Sequence, residues 1–175
     1  MKFIPVLFIF VLVSCQQGGE EARAKQLGYQ LHAYTSGDYK NAQQQFIDTI
    51  SKCVHDFLED NKATINTNRL NQLFEKAKQA NKASYDSIEK TVEVDEDINL
   101  RQKAIDENLV YRSLFENEFP KIIQLLEHKD SEGLQALSPD LNKKEGEIEK
   151  ARIASEEASH EFSKKYKLPY VQEDN

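Results

Sequence analysis

The sequence predicts an all-α protein: an up-down antiparallel four-helix bundle with long helices, the third of them kinked at Pro120. Three observations carry this reading. Between Glu20 and Phe119 there is no proline, and the only glycines are Gly28 and Gly37. Good helix formers, above all Lys, Glu, Gln, Ala and Leu, dominate the composition. Apolar residues recur three and four apart in blocks separated by short links, and short links make consecutive helices antiparallel neighbours. No stretch alternates as a half-buried strand does. Thr91-Val92-Glu93-Val94 is the one segment compatible with extended backbone, and it reads as a link.

The chain opens Met1-Lys2 and is apolar from Phe3 to Val13. A positive start and an apolar run of this length read as a secretory signal peptide. The run is too short for a membrane span, which needs about 20 residues. It ends Leu12-Val13-Ser14-Cys15, which resembles the bacterial lipobox: an aliphatic residue, a small residue, then cysteine. In that family the cysteine sulfur receives a diacylglyceryl group, the leader is cut off before it, and the new amine is usually acylated. The resemblance implies a cleaved signal peptide over residues 1–14 and lipidation of Cys15. Two or three acyl chains anchor stably where one does not, because each buried methylene contributes about 0.8 kcal/mol. Residues 15–25 then form the lipidated cysteine and a flexible tether, since Gln16-Gln17-Gly18-Gly19-Glu20-Glu21 cannot pack a core. Gln16, with no aspartate after the cysteine, resembles lipoproteins that two-membrane bacteria send to the outer membrane. The implied location is the cell envelope, at the outer membrane, facing the periplasm or the surface.

The bundle domain is expected over residues 26–168, with a C-terminal tail at 169–175. Leu27, Leu31 and Tyr34 form a short apolar stripe, and Gly37-Asp38 interrupts or bends the helix after it. Phe46, Ile47, Ile50, Cys53, Val54, Phe57 and Leu58 continue at helical spacing. The second block carries Leu70, Leu73, Phe74, Ala77, Ala80 and Ile88, with Asn66 or Thr67 as N-cap. The third follows Asp95 or Asp97 as caps and carries Ile98, Ile105, Leu109, Leu114, Phe115, Phe119, Ile122, Leu125 and Leu126. Pro120 lies inside it. Proline removes a donor and crowds the carbonyl of Glu116, while Phe119 is a poor cap for a fresh start, so a kinked but continuous helix is expected. The kink would splay one end of the bundle near Phe119, Pro120 and Ile123, at the start of a 129–137 link. That end is the expected groove for a partner. The fourth block opens at Ser138-Pro139 and carries Leu141, Ile148, Ala151, Ser155, Ala158 and Phe162, a thin seam that should let neighbours approach closely.

The chain has 175 residues, with 23 basic and 30 acidic. Without residues 1–14, which carry only Lys2, there remain 161 residues with 22 basic against 30 acidic, a balance of −8. So acidic a chain lacks the basic footprint that nucleic acid requires. It also lacks the charge for electrostatic binding to anionic lipid, so the acyl chains must hold the membrane. Cys53 is the only other cysteine, and its place on an apolar stripe reads as a small core residue.

Motifs that carry chemistry are absent or incomplete. Glu157 and His160 form one Glu-x-x-His, whereas di-iron bundles need two such pairs and two further carboxylates. His32, His55 and His128 are scattered, and no phosphate-binding loop or nucleophile elbow occurs. Gly37-Asp38-Tyr39, Ala42 and Phe46 resemble half of a tetratricopeptide repeat, but no second copy follows. Taken with the lipobox, tether, bundle pattern and the aromatic-rich end His160 to Tyr170, the chain resembles small helical surface lipoproteins of uncharacterised function. That resemblance transfers no functional residues. The expected role is non-enzymatic binding or scaffolding, with no cofactor and with a protein or the cell wall as partner. Two alternatives are an envelope stress or chaperone-like protein with an apolar groove, and a metal-binding or enzymatic bundle with carboxylates and histidines converging on a cavity.

Overall fold

The computed structural model describes residues 6–60 and 63–169, with the backbone alone for residues 6–18 and Asp38. Residues 1–5 of the expected leader, the Cys15 side chain and the tail beyond Pro169 lie outside the described residues. The chain folds as an all-α bundle, and no strand occurs among the described residues. The elements are α1 (Val6–Thr35), α2 (Asp38–Glu59), α3 (Thr67–Glu89), α4 (Leu100–Ser113), a π-helical segment (Leu114–Glu118), α5 (Phe119–His128) and α6 (Ser131–Tyr166). Among the described residues no helix is long and apolar enough to cross a membrane.

Two apolar clusters hold the helices together. In the first, Phe46, Ile50 and Phe57 of α2 meet Leu70, Phe74 and Ala77 of α3, Leu114 and Phe115 of the π segment, Phe119, Ile122, Ile123 and Leu126 of α5, and Leu134 of α6. Its centre is a set of tilted and edge-on phenylalanine rings. Phe46 stands edge-on to Phe119 with centroids 4.9 Å apart and lies 5.5 Å from Phe74. Such pairs add about 0.5–1.5 kcal/mol beyond the area they bury. The second cluster joins Ala24, Leu27 and Leu31 of α1 to Ile88 of α3, Leu100, Ala104 and Ile105 of α4, and Ala158, Phe162 and Tyr166 of α6.

A polar layer separates the clusters. Asn81 of α3 and Asn108 of α4 are each 2 % exposed. Asn81 Nδ2 donates to Asn108 Oδ1 at 3.0 Å, and Asn108 Nδ2 donates to Ser84 Oγ at 3.0 Å. The Ser84 hydroxyl in turn donates to the carbonyl of Tyr34 at 2.7 Å. That carbonyl belongs to the last turn of α1, where helical donors run out, and the layer gives it a partner. Gly37, with φ 64°, then turns the chain from α1 into α2. Glycine enters this left-handed region without the steric penalty a side chain would meet.

Several boundaries differ from the sequence reading. The tether expected over residues 15–25 is helical throughout, and Ala24 is completely buried, because it extends the Leu27 and Leu31 stripe by one turn. α3 is capped by Asn66, whose side chain accepts the Arg69 N–H at 3.0 Å, as expected. α4 starts later than expected, at Leu100, and neither Asp95 nor Asp97 caps it. Glu93 does: one carboxylate oxygen accepts the Arg101 N–H at 2.7 Å, and the other accepts the Val94 N–H at 3.0 Å.

The largest difference is at α6, which starts at Ser131 and not at Ser138-Pro139; the expected 129–137 link is only Lys129 and Asp130. Lys129 adopts the left-handed conformation that ends α5, and the Asp130 N–H bonds the Leu125 carbonyl at 2.9 Å. The Asp130 carboxylate then accepts the Gly133 N–H at 2.8 Å. Leu134, Leu137 and Leu141 continue the apolar stripe through this region, and their burial carries the helix past Pro139.

Candidate functional site

α6 packs closely against α4, as its thin seam predicts. Opposite Ser155 and Ser159 a cleft of about 500 Å³ opens between the α1–α2 break, α4 and α6. This lies within the range of small-molecule sites, roughly 300–1,000 Å³. Each wall has a distinct origin. α1 contributes Leu31 and His32, α2 contributes Tyr39, Lys40 and Gln43, α4 contributes Glu107 and Tyr111, and α6 contributes Arg152, Ser155 and Ser159.

The polar layer fixes the inner wall. Asn81 Nδ2 also donates to the Tyr39 hydroxyl at 3.3 Å, which ties the first turn of α2 to α3. Burial pushes the Tyr39 hydroxyl well above its ordinary titration range, even though the Asn81 hydrogen bond acts the other way. Burial also raises Tyr111, helped by the nearby charge of Glu107 and opposed by a hydrogen bond with Gln43. Both phenols therefore stay protonated and neutral across the physiological range. At the outer edge, Arg152 grips Glu149 through two nitrogens, at 2.8 and 2.9 Å, and also pairs with Glu156. The Glu149 hydrogen bonds outweigh desolvation and, with Glu156, keep this guanidinium charged.

A second, more apolar groove of about 390 Å³ runs between α2 and α6 at the opposite end of the bundle from Ala24 and Tyr166. Val54, Leu58, Leu134 and Leu141 line it, and Leu58 is 42 % exposed.

The partner groove expected at Phe119, Pro120 and Ile123 is not formed by those residues. Phe119 and Ile123 are buried in the first cluster, and only Pro120 is exposed. The apolar stripe of α5 faces the Phe46 ring, so the two side chains serve the core. Cys53 is half-buried and packs against the same cluster; burial raises its thiol, Asp56 adds to the rise and Lys52 opposes it. Glu157 and His160 are both exposed on α6. Among the described residues no three His, Cys, Asp or Glu side chains are grouped to hold a metal ion.

The residues of the cleft escape the sequence reading because they come from four helices with no local spacing. One signal was visible. Asn81 continues the Ala77 to Ile88 stripe of α3, and Asn108 continues the Ala104 stripe of α4, and a polar residue on an apolar face demands a buried partner. A scan against models of known protein families, a search of curated proteins and a search of solved structures each find no match for this chain.

Proposed function

We propose that the mature chain is a lipid-anchored protein of the cell envelope, held at an outer membrane by acyl chains on Cys15, with a non-enzymatic binding role centred on the cleft. The observation that carries the anchor is Leu12-Val13-Ser14-Cys15 at the end of the apolar leader. Ala24, nine residues beyond Cys15, is already buried in the bundle, so the bundle stands close to its anchor. A protein so placed meets envelope ligands at its sides and far end.

In this reading the helices follow an up-down antiparallel path in four columns: α1 with α2, then α3, then α4 through α5, then α6. The short connections support that path, and so does the shared cluster of Ala24 and Leu27 with Phe162 and Tyr166. The third column bends where the π segment meets Pro120, since both a π turn and a proline deflect a helix. A second reading, a chaperone-like envelope protein, draws on the apolar groove of Val54, Leu58, Leu134 and Leu141.

Metabolic labelling with a radioactive fatty acid tests the anchor. The native chain should take up label and shorten by the leader, while Cys15→Ala should remain an unlabelled precursor. Equal labelling of the two would rule out lipidation at Cys15.

A further inference from the structure

We infer that the cleft between the α1–α2 break, α4 and α6 binds an uncharged sugar ring. This deepens the binding role proposed above and rests on it.

Charge excludes the main alternatives. Two carboxylates, Glu107 and Glu156, face two cations, Lys40 and Arg152, so these four charges sum to zero. Arg152 is already committed to Glu149 and Glu156. A charged ligand entering here would lose its hydration without an uncommitted counter-charge to replace it. An uncharged ligand avoids that loss.

The polar groups select hydroxyls. Tyr39, Tyr111, Ser155 and Ser159 carry hydroxyls, and Gln43 an amide; each of these groups both donates and accepts. A sugar hydroxyl also does both, so it can match either role wherever it lands. The apolar side is supplied by half-buried Ile47, with Leu31 and Phe162 of the second cluster packed behind it, and it suits the C–H face of a pyranose. Tyr29, 61 % exposed at the rim, offers an aromatic face of the same kind. A free saccharide and the end of an envelope glycan present the same ring.

The test uses the isotope-labelled mature protein in detergent micelles, titrated with N-acetylglucosamine and followed by amide NMR. Saturable shifts at Gly28, Gln43, Tyr111, Ser155 and Ser159 are expected, with an affinity on the order of millimolar or tighter. Tyr111→Phe should weaken binding at least about threefold, the loss of one hydrogen bond to a neutral partner. Ser159→Trp fills the cleft from its α6 side and should abolish the shifts, with helical content unchanged by circular dichroism. Glucosamine, cationic, and N-acetylneuraminic acid, anionic, should bind more weakly.

Co-sedimentation with purified peptidoglycan sacculi separates the sources. Sedimentation relieved by N-acetylglucosamine points to the polymer, and shifts without sedimentation point to the free sugar. Absence of both, or tighter binding of a charged ring, overturns the proposal. Fatty-acid labelling of the same preparation reports the anchor independently: unlabelled protein that still binds the sugar would sink the anchor alone.

Discussion

The hydroxyl of Tyr166, in the last turn of α6, donates to the Asp95 carboxylate in the α3–α4 link at 3.0 Å. Asp95 is 5 % exposed, and it also accepts from the backbone N–H groups of Asp97 and Ile98 and from Lys165. One carboxylate therefore ties the α3–α4 link to the end of the last helix. Tyr166 also lies 3.2 Å from a Glu20 carboxylate oxygen, which brings the middle of α1 into the same junction.

This junction should be acid-labile. Burial works against the Asp95 charge, but the bonds from Lys165, Ile98 and Tyr166 outweigh it and hold the carboxyl below the ordinary aspartate value of 3.8. A depressed carboxyl contributes stability that is present above the unfolded value and is lost as pH falls through the folded one. Thermal melts should therefore lose stability progressively below about pH 4. Asp95→Asn keeps an acceptor for the link but loses the charge. It should cost about 1–2 kcal/mol at neutral pH, a modest figure because Lys165 is half-exposed. It should also flatten the acid limb of the melting curve. An acid limb unchanged in Asp95→Asn would show that other carboxylates set it.

The Asn81–Asn108 pair should behave as a unit. Removing one partner leaves a buried amide unsatisfied, which costs about 1–3 kcal/mol. Asn108→Leu is expected to fall at the upper end of that range, since both Asn81 and Ser84 bond to its side chain. Asn81→Leu in the same chain should add less than its own single cost, because it removes the orphan. A double-mutant cycle by urea unfolding measures this, and strict additivity would mean that the two amides are not coupled.

Where apolar spacing alone decides the outcome, the fold is legible. Phe46, Ile50 and Phe57 mark α2, and Leu70, Phe74 and Ala77 mark α3, because their burial is what makes those segments helical. The start of α6 is not legible in the same way. Pro139 resembles an N1 proline after Ser138, and only the packing of Leu134 and Leu137 overrides that local signal. Phe119 and Ile123 carry the same ambiguity: a stripe beside a proline reads equally as a groove or as core, and the ring of Phe46 decides it. The cleft depends on distances between helices. Local periodicity does not encode those distances, and no motif spans Tyr39, Tyr111 and Arg152.

The two glycines of α6 should respond oppositely to alanine. A Cβ on Gly133 would meet Leu125 Cδ2 at 2.5 Å and Asp130 Oδ2 at 2.7 Å. The second atom belongs to the cap of α6, so alanine must displace Leu125 and disturb the cap, together outweighing its helix propensity. Gly133→Ala should destabilise by about 1 kcal/mol. Nothing lies within 4 Å of a Cβ on Gly146, and Gly146→Ala should stabilise by about 0.5–1 kcal/mol. Denaturant midpoints compare the two. A stabilising Gly133→Ala would show that the Asp130 turn is looser than its hydrogen bonds suggest.

The two prolines of the bundle should also differ, and for a reason set in the backbone. Just before Pro120, the Phe119 N–H bonds the Leu114 carbonyl, five residues back, as a π turn does. Pro120 follows at the start of α5, where a missing N–H sacrifices little and a fixed φ is already helical. Pro120→Ala should therefore change stability by less than about 1 kcal/mol. Pro139 lies eight residues after Ser131, well inside α6. There the Gln135 carbonyl loses its helical donor and meets the proline ring, so Pro139→Ala should stabilise by about 1–3 kcal/mol. Urea unfolding of both variants ranks them. A larger gain at Pro120 than at Pro139 would mean that Pro120 strains the backbone beside the π segment and that its place at the start of α5 does not spare the helix.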